Sequence, residues 1–205
     1  MMKVDVLGTA ISTMSMAPPW SMVKRTTVVS WNSMIHDENP FVDAPEGRDP
    51  IRRFRGRLTA PVTVVTSGAG EARAGLTVSS LNVIEGEPGV VELVVGPTSD
   101  LWDVVADSGG FVVHICRSSD RALAEVFAGL RPSPGGMFAG LEVTEAEFGP
   151  VIETLGDRAH CRFTTREEIG YSGVVSGAID HIDVGDLVDP LLYFRGGYRG
   201  LEGPR

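Results

Sequence analysis

The stretch PVTVVTSGAGEARAGLTVSSL, residues 61–81, can be read in two ways, and the fold turns on the choice. GAG at 68–70 follows a β-branched run, as a dinucleotide-binding loop would. Such a loop must open into a helix, whose N-terminal amides meet a pyrophosphate. The next segment is instead ARAGLTVSSL, a second β-rich run. Two such runs joined by GAGE signal a hairpin. Strands joined by a tight turn pair antiparallel, which argues against a doubly wound parallel sheet.

Outward from this hairpin the punctuation is regular. GVVELVVG (89–96) and GGFVVHIC (109–116) read as strands. Between them SDLWDVVADSG reads as a short helix, with Ser99 as cap, Leu101, Val104 and Val105 apolar, and a closing glycine pair. SSDRALAEVFAGL (118–130) is another short helix, with Leu123, Val126 and Phe127 inward. After a loop rich in Pro and Gly, AHCRFTT, SGVVSGAIDHID and PLLYFRGGY supply three more strands. Upstream, DPIRRFRGRLTA (49–60) predicts a helix capped by Asp49, with Pro50 in its first turn and Ile51, Phe54 and Leu58 on one face. About seven strands and few helices, too closely spaced for βαβ crossovers, predict a mainly β, mostly antiparallel barrel. The domain is expected over 49–205. Residues 1–48 hold six of the seven methionines within their first 34 positions and show no sustained period, so they read as a poorly ordered extension, with Met34 a plausible internal start.

The chain carries a formal net charge of −9, and no basic run exceeds a pair of residues, which argues against nucleic acid. No apolar run approaches the roughly 20 residues that span a bilayer. VLGTAI, beside Asp5, is too short for a signal core, so a cytoplasmic protein is expected. Cys116 and Cys161 fall in separate strand-like segments and read as buried thiols rather than a disulfide. The histidines, His36, His114, His160 and His181, make no HxxxH pair, there is no CxxC, and no metal site is expected. His114 and Cys116 share a strand face, which suits a pocket or core more often than a metal.

Two polar clusters remain. Thr77, Ser79 and Ser80 crowd three hydroxyls into four positions. Some twenty residues on, Ser99 stands at a helix N-terminus, where unpaired amides favour an anion. A ligand with a flat polar ring at one end and a phosphate at the other would suit both.

From about Ile51 to Arg199 the chain resembles the flavin reductase-like, FMN-binding split-barrel family. FRGRLTAPVTVVTS is similar to its first helix and strand, and GLTVSSLNVIEGEP to its flavin-ring segment. VGPTSDLWDVVADSGGFVVHIC is similar to its phosphate segment and next strand, and DPLLYFRGGYR to its closing strand. The resemblance implies that Thr77, Val78, Ser79 and Ser80 contact the flavin ring and ribityl chain, and that Pro97, Thr98, Ser99, Asp100 and Leu101 hold the phosphate. It implies FMN or FAD as cofactor, NADH or NADPH as hydride donor, a flavin-dependent monooxygenase as partner, and a homodimer. The sequence departs from the family at three places. Leu101 replaces a phosphate-segment threonine, Val113-His114 replaces a Val-Asn pair, and Gly170-Tyr171-Ser172 replaces a Gly-Asp-His turn near the nicotinamide. His114 is then the candidate catalytic residue in place of that turn histidine. Two alternatives stay open: a flavin carrier or accessory protein without reductase activity, and a split barrel that takes another planar ligand.

Overall fold

A computed structural model describes residues 49–201. The expected extension over residues 1–48, including Met34, lies outside the described residues. Helix α1 (Pro50–Arg55) starts where predicted: the Asp49 carboxylate accepts from the Ile51 amide at 2.9 Å, and Pro50 occupies the first turn. Its apolar face is not buried, with Ile51 75% and Phe54 69% exposed. The helix closes after six residues, before Leu58 can join that face, and it is anchored through its backbone: the Arg195 amide donates to Gly56 O at 3.1 Å.

Next come β1 (Ala60–Pro61), β2 (Thr63–Ser67), β3 (Ala74–Val78), β4 (Leu81–Ile84) and β5 (Val90–Val95). Helix α2 (Asp100–Ser108) leads to β6 (Gly110–Ile115), and α3 (Arg121–Phe127) to the hairpin β7 (Val143–Ala146) and β8 (Gly149–Ile152). The long strands β9 (Arg158–Ile169) and β10 (Ser172–Asp183) follow, then β11 (Leu192–Phe194) and β12 (Gly197–Arg199). Seven strands form one sheet in the order β3-β2-β6-β9-β10-β5-β4, every pair antiparallel, and β1, β11 and β12 form a small second sheet. The hairpin at 61–81 is the β2–β3 pair, with Thr63 opposite Val78 and Ser67 opposite Ala74.

The edge strands of the large sheet show that it is curled. Laid flat, seven strands would separate β3 from β4 by roughly 29 Å. Yet β3 ends at Val78 and β4 begins at Leu81, three Cα steps that reach at most about 11 Å. Ser79-Ser80 therefore closes the sheet into a half-barrel.

The inside packs Val65, Leu93, Phe111, Val113 and Val175 against Leu101, Trp102 and Val105 of α2. The other face packs Val62, Val64 and Ile152 against Phe127 and Phe138. Strand β2 sends alternate residues into both clusters, which is why its valines form a continuous apolar run rather than an alternating one. Helix α2 presses close against β10: a Cβ added to Gly173 would run into the Trp102 ring. Cys116 and Cys161 are free and buried, and burial pushes both thiols up to about 12. They stay protonated and unreactive.

Candidate functional site

Of the three crowded hydroxyls, one is committed to the fold. Thr77 Oγ1 donates to Ala124 O at 2.7 Å and ties β3 to α3. Val78 is buried, and its carbonyl accepts from Thr63 Oγ1 at 2.7 Å. Ser79 and Ser80 differ from both. They are half-buried, their hydroxyls bond to nothing among the described residues, and both line a cleft of about 340 Å³. Across that cleft stand Arg55, Thr59, Asn82 and Tyr193. Sequence alone singled out none of these four. Asn82 follows GLTVSSL directly, but its exposure at the cleft depends on β4 being an edge strand. Tyr193 belongs to the small sheet and Thr59 directly precedes it, and the pairing of residue 60 with residue 193 is announced by no local pattern.

The second polar cluster lies beside the first. Ser80 O accepts from the Val94 amide at 2.8 Å, so the seam abuts the end of β5, from which Gly96-Pro97-Thr98-Ser99 leads into α2. Ser99 is the N-cap of α2: its hydroxyl donates to Gly96 O at 2.7 Å and accepts from the Trp102 amide at 3.4 Å. Thr98 is exposed and Pro97 half-buried. Asp100 and Asp103 already place two carboxylates in the first turn, which complements the helix dipole and offsets part of its attraction for a further anion. The Leu101 side chain is 2% exposed and packs in the inner core. A threonine there would turn its hydroxyl into the barrel, so the expectation that Leu101 marks a missing phosphate hydroxyl is corrected. Only its backbone is near the helix start.

His114 is corrected as well. It is fully buried, its Nδ1 lies 3.1 Å from Val64 O, and its Nε2 accepts from the Ile152 amide at 3.1 Å. With Nε2 as acceptor, Nδ1 carries the proton and donates to the carbonyl. Burial, against the Val64 hydrogen bond, lowers its pKa to about 4. A neutral ring with both nitrogens engaged has no proton to exchange with a substrate. His114 joins β2, β6 and β8 and is not a catalytic residue.

The Gly170-Tyr171-Ser172 turn is the tip of the β9–β10 hairpin, with Gly170 at φ +63° and Tyr171 97% exposed. Because Gly173 pairs with Val95, this tip lies near the start of the 96–99 segment that leads into α2. Adjoining the cleft, with which it shares Pro61 and Leu81, a second cavity of about 350 Å³ is walled mainly by aliphatic side chains such as Leu81, Val83, Val91 and Ile179. Arg158 at its rim donates to Asp183 at 2.8 Å, and that bond, followed by the one from His181, draws the Asp183 carboxyl down to about 2. No group of three or more metal-ligating side chains occurs among the described residues.

Comparisons with known proteins point one way. The family model of the flavin reductase like domain matches residues 55–202. The chain is 29% identical over 157 residues to the reductase component of 4-hydroxyphenylacetate 3-monooxygenase from Thermus thermophilus, covering 77% of this chain and 99% of that protein. It is 30% identical over 163 residues to an NADH-dependent FMN reductase from Streptomyces nodosus subsp. asukaensis, covering 77% and 87% of the two chains. Among solved structures, the flavin reductase PheA2 superposes with a TM-score of 0.67 at 24% identity, covering 75% of this chain and 99% of that one.

Proposed function

The chain belongs to the flavin reductase like domain family, and from that footing we propose that it is an NAD(P)H-dependent flavin reductase that supplies reduced flavin to a partner monooxygenase. The observation that carries this reading is the pair Ser79 and Ser80, whose hydroxyls open on a cleft beside the capped N-terminus of α2. A bound FMN or FAD supplies the hydride acceptor, and the nicotinamide supplies the hydride. The chain's own part is geometric. Ser79 and Ser80 would offer donors to a ring edge, Asn82 both a donor and an acceptor, and the amides that begin α2 would receive a phosphate. Backbone donors held by the seam need no reorganisation as charge develops on a ring beside them. With both His114 nitrogens engaged in the fold, no side chain is assigned to proton transfer. Hydride transfer depends on alignment of two rings rather than on an acid.

Relatives named as reductase components of monooxygenases support the partner. Among the described residues no helix is long and apolar enough to cross a membrane, and a cytoplasmic location fits the two reduced, buried thiols. A homodimer is supported by the open edge of β4, where Val83 and Ile84 are exposed. The altered turn at Tyr171 favours one second reading, a flavin carrier without rapid turnover. The test is NADH or NADPH oxidation by the purified chain with added FMN or FAD. Flavin-dependent oxidation establishes the reductase. Tight flavin binding without oxidation leaves the carrier, and no flavin binding removes both.

A further inference from the structure

The β9–β10 arm grips helix α2 through one side chain. Along β9 the inner face begins with apolar residues: Cys161 lies in the inner core, and Ala159 and Phe163 pack against it. Strict alternation would put Thr165 next in that row. The ladder instead carries a bulge, because Gly177 faces Phe163 and Ser176 faces Thr165, which leaves Thr164 over. One extra residue turns the side chains that follow to the opposite face. Arg166 therefore takes the next position on the inner face, directly opposite the buried Val175 and itself partly open to solvent.

What the arginine meets there is the first turn of α2. Its guanidinium lies over the Trp102 ring, with Cζ 4.9 Å from the centroid, and its Nη1 donates to Trp102 O. Gly173, two positions before Val175 on β10, meets the same indole so closely that no Cβ fits between them. Arg166 forms no salt bridge among the described residues, so its donors serve a carbonyl and a ring rather than a carboxylate. The Trp102 amide meanwhile donates to Ser99 O at 3.0 Å, so this one residue ties the helix cap to the arm. Between Ser99 and Trp102, the amides of Asp100 and Leu101 have no hydrogen-bond partner among the described residues.

We propose that Arg166 is a positioning residue for the ligand's phosphate: through Trp102 it fixes the first turn of α2, and with it the two open amides. Donors already held in place need no ordering when an anion arrives, and so bind it more tightly. The arginine acts through Trp102 and is not itself assigned to the ligand. The inference rests on the reading of the α2 start as the phosphate end of the flavin site.

The test uses the full chain and two variants, Arg166→Lys and Arg166→Leu, with FMN and riboflavin as the ligand pair. Lysine keeps the charge but loses the planar fork that stacks and donates at once. Both variants are expected to bind FMN roughly fivefold more weakly, the scale of one hydrogen bond, with riboflavin affinity unchanged. If the lysine variant keeps its FMN affinity and only the leucine variant loses it, the residue is a nearby charge and the proposal fails. Equal losses of both ligands would make Arg166 a strut of the fold, and no loss in either variant would make it dispensable; each result overturns the proposal. Hydrogen exchange over residues 96–104 judges the clamp without any flavin. Both variants should exchange there faster than the unaltered chain while β2 and β6 keep their protection, and unchanged exchange would show that no clamp exists. An unaltered chain that binds neither FMN nor riboflavin sinks the flavin reading and the phosphate role with it, while exchange still reports on the clamp.

Discussion

Ser79 and Ser80 sit within three residues of Thr77, yet the three hydroxyls have different consequences. Ser79→Ala or Ser80→Ala is expected to weaken flavin binding by roughly 1–3 kcal/mol, the cost of stranding a polar partner. Flavin titration checks this, and unchanged dissociation constants for both variants would move the ring elsewhere. Thr77→Ala should instead cost stability, about 1 kcal/mol for the lost bond to Ala124 O, with flavin affinity kept. Leu101→Thr places a hydroxyl in the core and should destabilise by about 1–3 kcal/mol without favouring FMN over riboflavin. His114 gives a pH signature. Between pH 6.5 and about 4 the unfolded chain takes up a proton that the buried ring refuses. Stability from this residue is therefore complete above pH 6.5 and is lost as the pH falls towards 4, by up to roughly 3 kcal/mol. Urea unfolding across that window should show the slope, and His114→Leu, though less stable throughout, should flatten it. A variant with the same slope would place the titration elsewhere.

Elements whose signals are local were legible in the sequence. The β2–β3 hairpin, the Ser99 cap and the Asp49-Pro50 helix start each follow from residues within a few positions of one another. Elements defined by partners far along the chain were not. The sequence places Ile51 and Phe54 on one face of α1 but does not say what that face meets: both are exposed, and the helix end is held by a backbone bond to Arg195, some 140 positions on. LNVI at 81–84 alternates poorly and became legible only as the strand that must follow the seam. The same holds for the candidate site: its two motifs could be read, but that the Thr77 hydroxyl is spent on Ala124, 47 positions away, depends on packing. At this scale Ser99→Ala should lower stability by about 1 kcal/mol through the lost cap. If the amides beyond it also hold phosphate, FMN affinity should fall more than riboflavin affinity. Equal losses would confine Ser99 to capping.

For the whole molecule, the half-barrel leaves β4 as an open edge with Val83 64% and Ile84 46% exposed. Edge strands with apolar side chains invite pairing unless they are covered. A dimer is expected by light scattering at micromolar concentration. Val83→Lys, which puts a charge on that edge, should yield monomers with the half-barrel's circular dichroism intact. A wild-type monomer, or a variant that still dimerises, would place the contact on another face. Exposed Ile51 and Phe54 on α1 are the next surface to test.

The two-residue seam has a bearing on where this chain can be lengthened or cut. Surface loops usually accept insertions cheaply, about 0.6 kcal/mol for each doubling of length. Ser79-Ser80 is not such a loop, because its shortness is what brings two sheet edges together. Two glycines inserted between them would leave the β2–β3 and β4–β5 ladders able to form, yet let the edges part and the cleft open. The tip at Gly170-Tyr171 joins neighbouring strands that stay paired whatever its length. New termini, or a tethered second domain, belong there: a circular permutant opened at Tyr171 should fold, and one opened at Ser79 should not close.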